Sequence, residues 1–154
     1  MSPAFLDTNV ILRHLLADHP QQSPKATAYL ARVEQGEIQV HIADTVIFEA
    51  VFTLERHYHQ PKAKIRDALL PLIELPGVIL PGKRHFREVF DLYVTLNLPF
   101  ADAYHAALAK RLKADGIVSY DKHFERIPGI TRLDALLGLA ANTRSQRMKP
   151  PMAA

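Results

Sequence analysis

The stretch Ala4-Phe5-Leu6-Asp7-Thr8-Asn9-Val10-Ile11-Leu12 changes character at its fourth residue. Ahead of Asp7 stands a short apolar run that reads as a buried strand. Behind it, Ile11, Leu12, Leu15 and Leu16 recur at helical spacing, so residues 8–16 read as a helix. One carboxylate therefore marks the passage from strand to helix. The same handover recurs downstream. Residues 38–42 read as a strand, Asp44 as an N-cap, and residues 45–58 as the helix that follows. Residues 78–80 read as a strand between two Pro-Gly turns, ahead of a helix over 83–96 that carries Phe86, Val89, Phe90 and Tyr93. The alanine-rich segment 101–114 is a further helix, Gly116 ends it, and residues 117–120 form a strand that runs into Asp121.

The remaining segments fill in the alternation. Ser23-Pro24 predicts an N-cap and a first-turn proline for a helix that stops at Gly36. A helix after Pro61 contains Ile65, Leu69, Leu70, Leu72 and Ile73, and Pro71 should kink or divide it. Residues 129–133 can add a short edge strand. No internal repeat is visible. Alternating strands and helices imply an α/β fold: one domain over residues 1–141, with a central, mostly parallel sheet flanked by helices on both faces. Residues 142–154 are basic and aperiodic, and are expected to form a mobile tail. In parallel sheets of this kind, ligands bind beyond the carboxyl ends of the strands.

Bulk properties narrow the class. A chain of 154 residues, 48% apolar and 23% charged, suits one soluble domain with a substantial core. It has no cysteine, which excludes disulfides and thiolate metal sites, and the cytosol is the expected compartment. No basic leader precedes an apolar run, and no apolar stretch is long enough to span a membrane. Net charge is +3 and the pI about 9.3. The cations cluster at Lys62/Lys64/Arg66, Lys83/Arg84/Arg87, Lys110/Arg111/Lys113 and Arg144/Arg147/Lys149. Each cluster alone reads as a solvated helix face or end; around an acidic site they also suit a phosphodiester substrate.

Four acids stand at element boundaries: Asp7, Glu49, Asp102 and Asp121. Each has a plain structural reading beside the functional one. Asp7 suits an N-cap, Asp102 offsets a helix dipole, and Asp121 suits an Asx turn. Glu49 falls nearly opposite the stripe Ile47, Val51, Leu54 and Tyr58, so it is either a surface acid or the wall of an open cleft. If the elements alternate as above, all four gather at one sheet edge. Acids clustered without cysteine point to a hard divalent cation and phosphoryl chemistry.

The local words add a family resemblance. Phe5-Leu6-Asp7-Thr8-Asn9-Val10-Ile11-Leu12, Phe48-Glu49-Ala50-Val51, Ala101-Asp102-Ala103-Tyr104-His105-Ala106-Ala107 and Val118-Ser119-Tyr120-Asp121-Lys122-His123-Phe124 resemble the PIN-domain ribonucleases. The resemblance is nearest to the small VapC-type toxins of toxin–antitoxin pairs. It implies a PIN-like parallel sheet and an acidic pocket for Mg²⁺ or Mn²⁺. It also implies endonucleolytic cleavage of single-stranded RNA, a homodimer, and silencing by a small antitoxin protein. Carried over residue by residue, Asp7, Glu49, Asp102 and Asp121 take the catalytic and metal positions, and Asn9 and Ser119 support them. Arg13 and Lys122 lie close to those ligands and are expected to hold RNA phosphates. One departure stands out: some relatives carry a further acid after the fourth, where this chain has Lys122 and His123, so a second metal ion is in question.

Two other classes stay open. A phosphoaspartyl hydrolase or receiver-like domain also places Asp after its first strand, although Asn9 stands where the haloacid-type word has its second Asp. A catalytically idle RNA-binding module would keep the fold and the basic surface. His57 and His59 suit a helix C-terminus, and His105 suits packing better than ligation. Glycine-rich phosphate loops, Ser-His-Asp order and HExxH words are absent.

Overall fold

The chain runs β1 (Ala4–Phe5), α1 (Thr8–Leu16), α2 (Gln22–Glu34), β2 (Val40–His41), α3 (Asp44–Phe52), a π turn (Thr53–His57), α4 (Lys62–Ile73), β3 (Val78–Ile79), a 3-10 turn (Lys83–His85), α5 (Phe86–Thr95), α6 (Phe100–Arg111), β4 (Ile117–Val118), a second 3-10 turn (Lys122–Arg126) and β5 (Arg132–Leu133). This computed structural model describes residues 2–135 and 148–153. The tail expected from residue 142 lies, up to residue 147, outside the described residues.

Among the described residues all strand pairs are parallel, as the alternation requires. β1 pairs with β2 (Ala4 opposite Val40, Phe5 opposite His41), and β2 pairs with β3 (Val40 opposite Val78, His41 opposite Ile79). β4 pairs with β5 in a second, two-stranded sheet. The hydrogen bonding thus divides what the sequence reads as one sheet. Each strand is only two residues long, so packed helices rather than long ladders hold the layers together. Gly116 permits the β4–β5 pairing, because a Cβ there would lie 2.4 Å from the Thr131 carbonyl oxygen.

The core is apolar and continuous. Val33, Val40, Ala50, Phe90, Tyr93, Leu98, Ala103 and Ala106 are fully buried. Burying one large side chain is worth about 1.5–3 kcal/mol. Phe48 (α3) packs edge-on against Phe100 at 5.1 Å and Tyr104 at 4.9 Å (both α6), while Phe90 and Tyr93 (α5) meet Phe100 at 5.1 and 5.3 Å. These ring contacts add about 0.5–1.5 kcal/mol each and lock α3, α5 and α6 together.

Several boundaries differ from the sequence reading for identifiable reasons. Ser23 lies inside α2 and does not cap it. The His19 ring takes that role, its Nδ1 accepting from the Gln21 and Gln22 backbone N–H groups at 3.2 and 2.9 Å. Asp44 opens α3 without capping it, because its carboxylate accepts from the Tyr104 hydroxyl instead. β1 is less buried than its apolar residues suggest. It lies at a sheet edge, and Phe5 remains 60% exposed. Pro71 does not divide α4, since it sits on the exposed face, where the carbonyl it leaves unbonded can meet water. The helix expected over 45–58 changes to a π turn at Thr53. Leu54 there enters the core, and the Tyr93 hydroxyl donates to Glu55 at 3.1 Å.

Candidate metal centre

Asp7 follows the carboxyl end of β1 and is the N-cap of α1, its Oδ1 accepting from the Thr8 backbone N–H at 2.9 Å. The capping reading of this residue holds: one oxygen caps the helix while the side chain remains exposed. Thr8 is almost fully buried, and its hydroxyl donates to Glu49 Oε2 at 2.9 Å. That bond ties α1 to α3 and fixes one oxygen of Glu49, which sits on the exposed side of α3 as its helical phase predicts.

The second half of the site comes from the other end of the chain. Asp102 lies in the first turn of α6, where its charge also favours the helix dipole. Asp121 caps the second 3-10 turn and accepts the His123 backbone N–H on Oδ1 at 3.3 Å, the Asx turn foreseen for it. Ser119 holds this loop. Its hydroxyl accepts from the Asp121 backbone N–H at 2.9 Å, and its carbonyl accepts from Arg132 Nη1 at 2.9 Å. The His123 imidazole closes the arrangement, with Nε2 at 2.6 Å from Asp121 Oδ2 and 3.3 Å from Asp102 Oδ2.

Packing of α3 against α6 holds Glu49 and Asp102 on neighbouring helices. The joint is Phe48 set between Phe100 and Tyr104, reinforced by the Tyr104–Asp44 hydrogen bond. Burial first, and then that bond, raise the Tyr104 pKa above its ordinary value, so the hydroxyl stays protonated and keeps donating. Asp102, Asp121 and His123 each offer an atom within 4.8 Å of the other two. Asp7 and Glu49 do not join that group among the described residues; both accept hydrogen bonds from Thr8. Of the four acids, Asp102 and Asp121 are thus brought together with His123, while Asp7 and Glu49 each bond to Thr8.

The supporting residues divide similarly. Asn9 is exposed and lines an open cleft of about 600 Å³ with Asp7, Arg13, Lys25 and Tyr29. Arg13 borders that cleft but pairs with Asp18 at 2.7 Å. Lys122 is exposed beside Asp121 and makes no ion pair among the described residues. His105 is exposed rather than packed and lies outside the metal-binding group.

The donor set fits a divalent cation. Two carboxylates and an imidazole converge, and their side chains are 21% (Asp102), 42% (Asp121) and 38% (His123) exposed, which leaves room for retained waters and a substrate oxygen. His123 is the residue that sequence reasoning passed over. Its signal was its position two residues beyond Asp121, where an Asx turn folds the side chain back over the carboxylate.

The PIN-domain family profile matches residues 4–130, and the chain belongs to that family. No curated protein matches the sequence. PIN domains are typically metal-dependent nucleases, so a nuclease with a nucleic-acid substrate is the activity that membership indicates. No helix among the described residues is long and apolar enough to cross a membrane.

Proposed function

We propose that this PIN domain is a cytosolic endoribonuclease that depends on Mg²⁺ or Mn²⁺, cuts single-stranded RNA, and acts as the toxin of a toxin–antitoxin pair. The observation that carries the catalytic part is the convergence of Asp102, in the first turn of α6, and Asp121, after β4, on one partly open point. Separately, each acid has an ordinary structural use. Within 4.8 Å of each other, the two carboxylates repel unless positive charge stands between them, which a metal ion or a protonated His123 can supply.

Within this reading, Asp102 and Asp121 hold the ion, and Asp7 and Glu49 extend the acidic wall. Thr8 orients Glu49 through Oε2, and Ser119 keeps Asp121 in place by accepting its backbone N–H. When bound, a divalent ion supplies an acidified water and offsets charge on the phosphoryl oxygens. Lys122, and Arg13 once released from Asp18, receive flanking phosphates. Tyr120 is 83% exposed between Ser119 and Asp121, which makes it a platform on which an unpaired base can stack. An exposed aromatic beside an acidic site favours single strands over duplex, whose bases are already stacked.

The toxin role, the homodimer and the antitoxin rest on the resemblance to VapC-type proteins. On α2 and α4 the residues Leu30, Val33, Ile65 and Leu69 are buried, whereas Ala28 is exposed and Tyr29 and Leu72 are half-buried, so part of that apolar surface, with exposed Phe5, Phe52, Leu112 and Val118, is left for a dimer contact. Digestion of a defined RNA panel, with cut sites mapped by primer extension, tests the nuclease. Growth arrest on expression, relieved by Asp102→Asn, tests the toxin. Harmless expression of a nuclease-active chain contradicts the toxin role alone.

A further inference from the structure

We infer that His123 is a nitrogen ligand of the metal centre and that it turns the site toward Mn²⁺ over Mg²⁺. The inference rests on the reading of this chain as a metal-dependent nuclease, and adds a residue and a selectivity to it. Nε2 faces Oδ2 of both acids, at 2.6 Å from Asp121 and 3.3 Å from Asp102. Two ligand atoms about 2.1 Å from one ion, at right angles, lie about 3 Å apart. The two observed separations lie on either side of that value, so Nε2 already stands close to where an ion shared with each acid needs it.

Backbone geometry keeps it there. The other oxygen of Asp121 is engaged by the His123 backbone N–H, which leaves Oδ2 free to face Nε2. The buried Phe124 side chain anchors the same 3-10 turn from the next residue. At these distances Nε2 is within hydrogen-bond reach of both carboxylates, and a bound ion would take the place of the proton between them. An imidazole ligand changes selectivity because Mg²⁺ is served best by oxygen donors, whereas Mn²⁺, a first-row transition ion, takes a nitrogen donor more readily than Mg²⁺ does. Removing the nitrogen should therefore weaken Mn²⁺ far more than Mg²⁺.

The test is electron spin-echo envelope modulation of Mn²⁺ added to the full-length chain, compared with His123→Gln, His123→Asn and, as a control, His105→Gln. Circular dichroism confirms that each variant is folded. The expected result is a directly bound imidazole nitrogen in the wild type and in His105→Gln, absent from both His123 variants. Mn²⁺ affinity should fall by about tenfold or more in those variants, the scale on which changes around metal sites act, while Mg²⁺ affinity moves much less. Bound Mn²⁺ without nitrogen coupling, or coupling that survives loss of His123, overturns the inference; if that protein still cuts RNA with a divalent ion, the nuclease reading stands without it. A wild type that binds no Mn²⁺ overturns it too, and failure to cut RNA with any divalent ion then removes the nuclease reading as well.

Discussion

The Thr8 hydroxyl donates to Glu49 Oε2 at 2.9 Å, so a buried residue at the start of α1 fixes an exposed acid on α3. Asp7, next to Thr8, is bound to the same helix start through its cap. Asp7 and Glu49 therefore share one support, and disturbing it should reach both.

Thr8→Val tests that coupling. The substitution keeps volume but removes the donor. Stability should fall by about 1 kcal/mol, the usual net worth of one hydrogen bond. Cleavage should fall further than stability alone explains, with kcat affected more than KM, because Thr8 positions an acid and does not touch RNA. Melting curves and steady-state kinetics on one preparation check both parts. Unchanged kcat would remove Glu49 from the site.

Asp7 separates capping from chemistry. Asn is as good an N-cap as Asp, whereas Ala loses the cap at a cost of about 1 kcal/mol. Asp7→Asn should thus abolish cleavage and leave the melting temperature nearly unchanged, and Asp7→Ala should lose both. Equal melting temperatures for the two variants would show that the Asp7–Thr8 bond contributes nothing measurable to α1.

The α/β alternation and the parallel pairing were legible in the sequence because they depend on periodicity, and Asp7, Asp102 and Asp121 stand at element ends as read, whereas Glu49 lies inside α3. Helix Thr8–Leu16 matches its expected bounds. What escaped depends on long-range contacts. Asp44 is diverted from capping by Tyr104, 60 residues away, and the π turn at Thr53–His57 follows from how Leu54 and Glu55 meet the core and Tyr93. His123 escaped because a histidine after Asp121 looks like a departure from an acidic pattern until the Asx turn places its ring between two carboxylates. That Asp102 and Asp121 converge with His123 is likewise a matter of side-chain reach, which spacing cannot give.

RNA contact can be read from salt dependence. Each phosphate contact on single-stranded nucleic acid contributes about 0.7 to the slope of log affinity against log salt. Lys122→Ala should lower the slope by roughly that amount. Arg13→Ala should lower it less, since Arg13 must first leave Asp18. Fluorescence anisotropy with a single-stranded oligonucleotide, in EDTA to prevent cutting, gives the slopes. Identical slopes for all proteins would place the RNA path elsewhere.

Alkaline stability should report on Tyr93. Burial first, and then the charge and hydrogen bond of Glu55, raise its pKa above the ordinary 10.0. A raised folded pKa contributes stability that is full below pH 10.0 and is lost as the pH climbs through the folded value. Lys62, lowered chiefly by burial from 10.5, acts in the opposite direction as the pH rises toward that value, but its ring contact survives in Tyr93→Phe. Tyr93→Phe should therefore be less stable near neutrality by about 1 kcal/mol, with a shallower alkaline decline than the wild type. Denaturant melts from pH 7 to 11 measure the difference; parallel curves would contradict the assignment.

The central claim is that Asp102 and Asp121 hold a divalent ion that cleaves RNA. It is tested most directly by incubating the full-length chain and its folded Asp102→Asn variant with a defined single-stranded RNA, with Mn²⁺, with Mg²⁺ and with EDTA. The account predicts internal cuts by the wild type with either ion, none in EDTA, and a loss of at least about a hundredfold in the variant, the scale at which individual electrostatic contributors act. Cleavage that persists in EDTA, or an Asp102→Asn variant as active as the wild type, would contradict it.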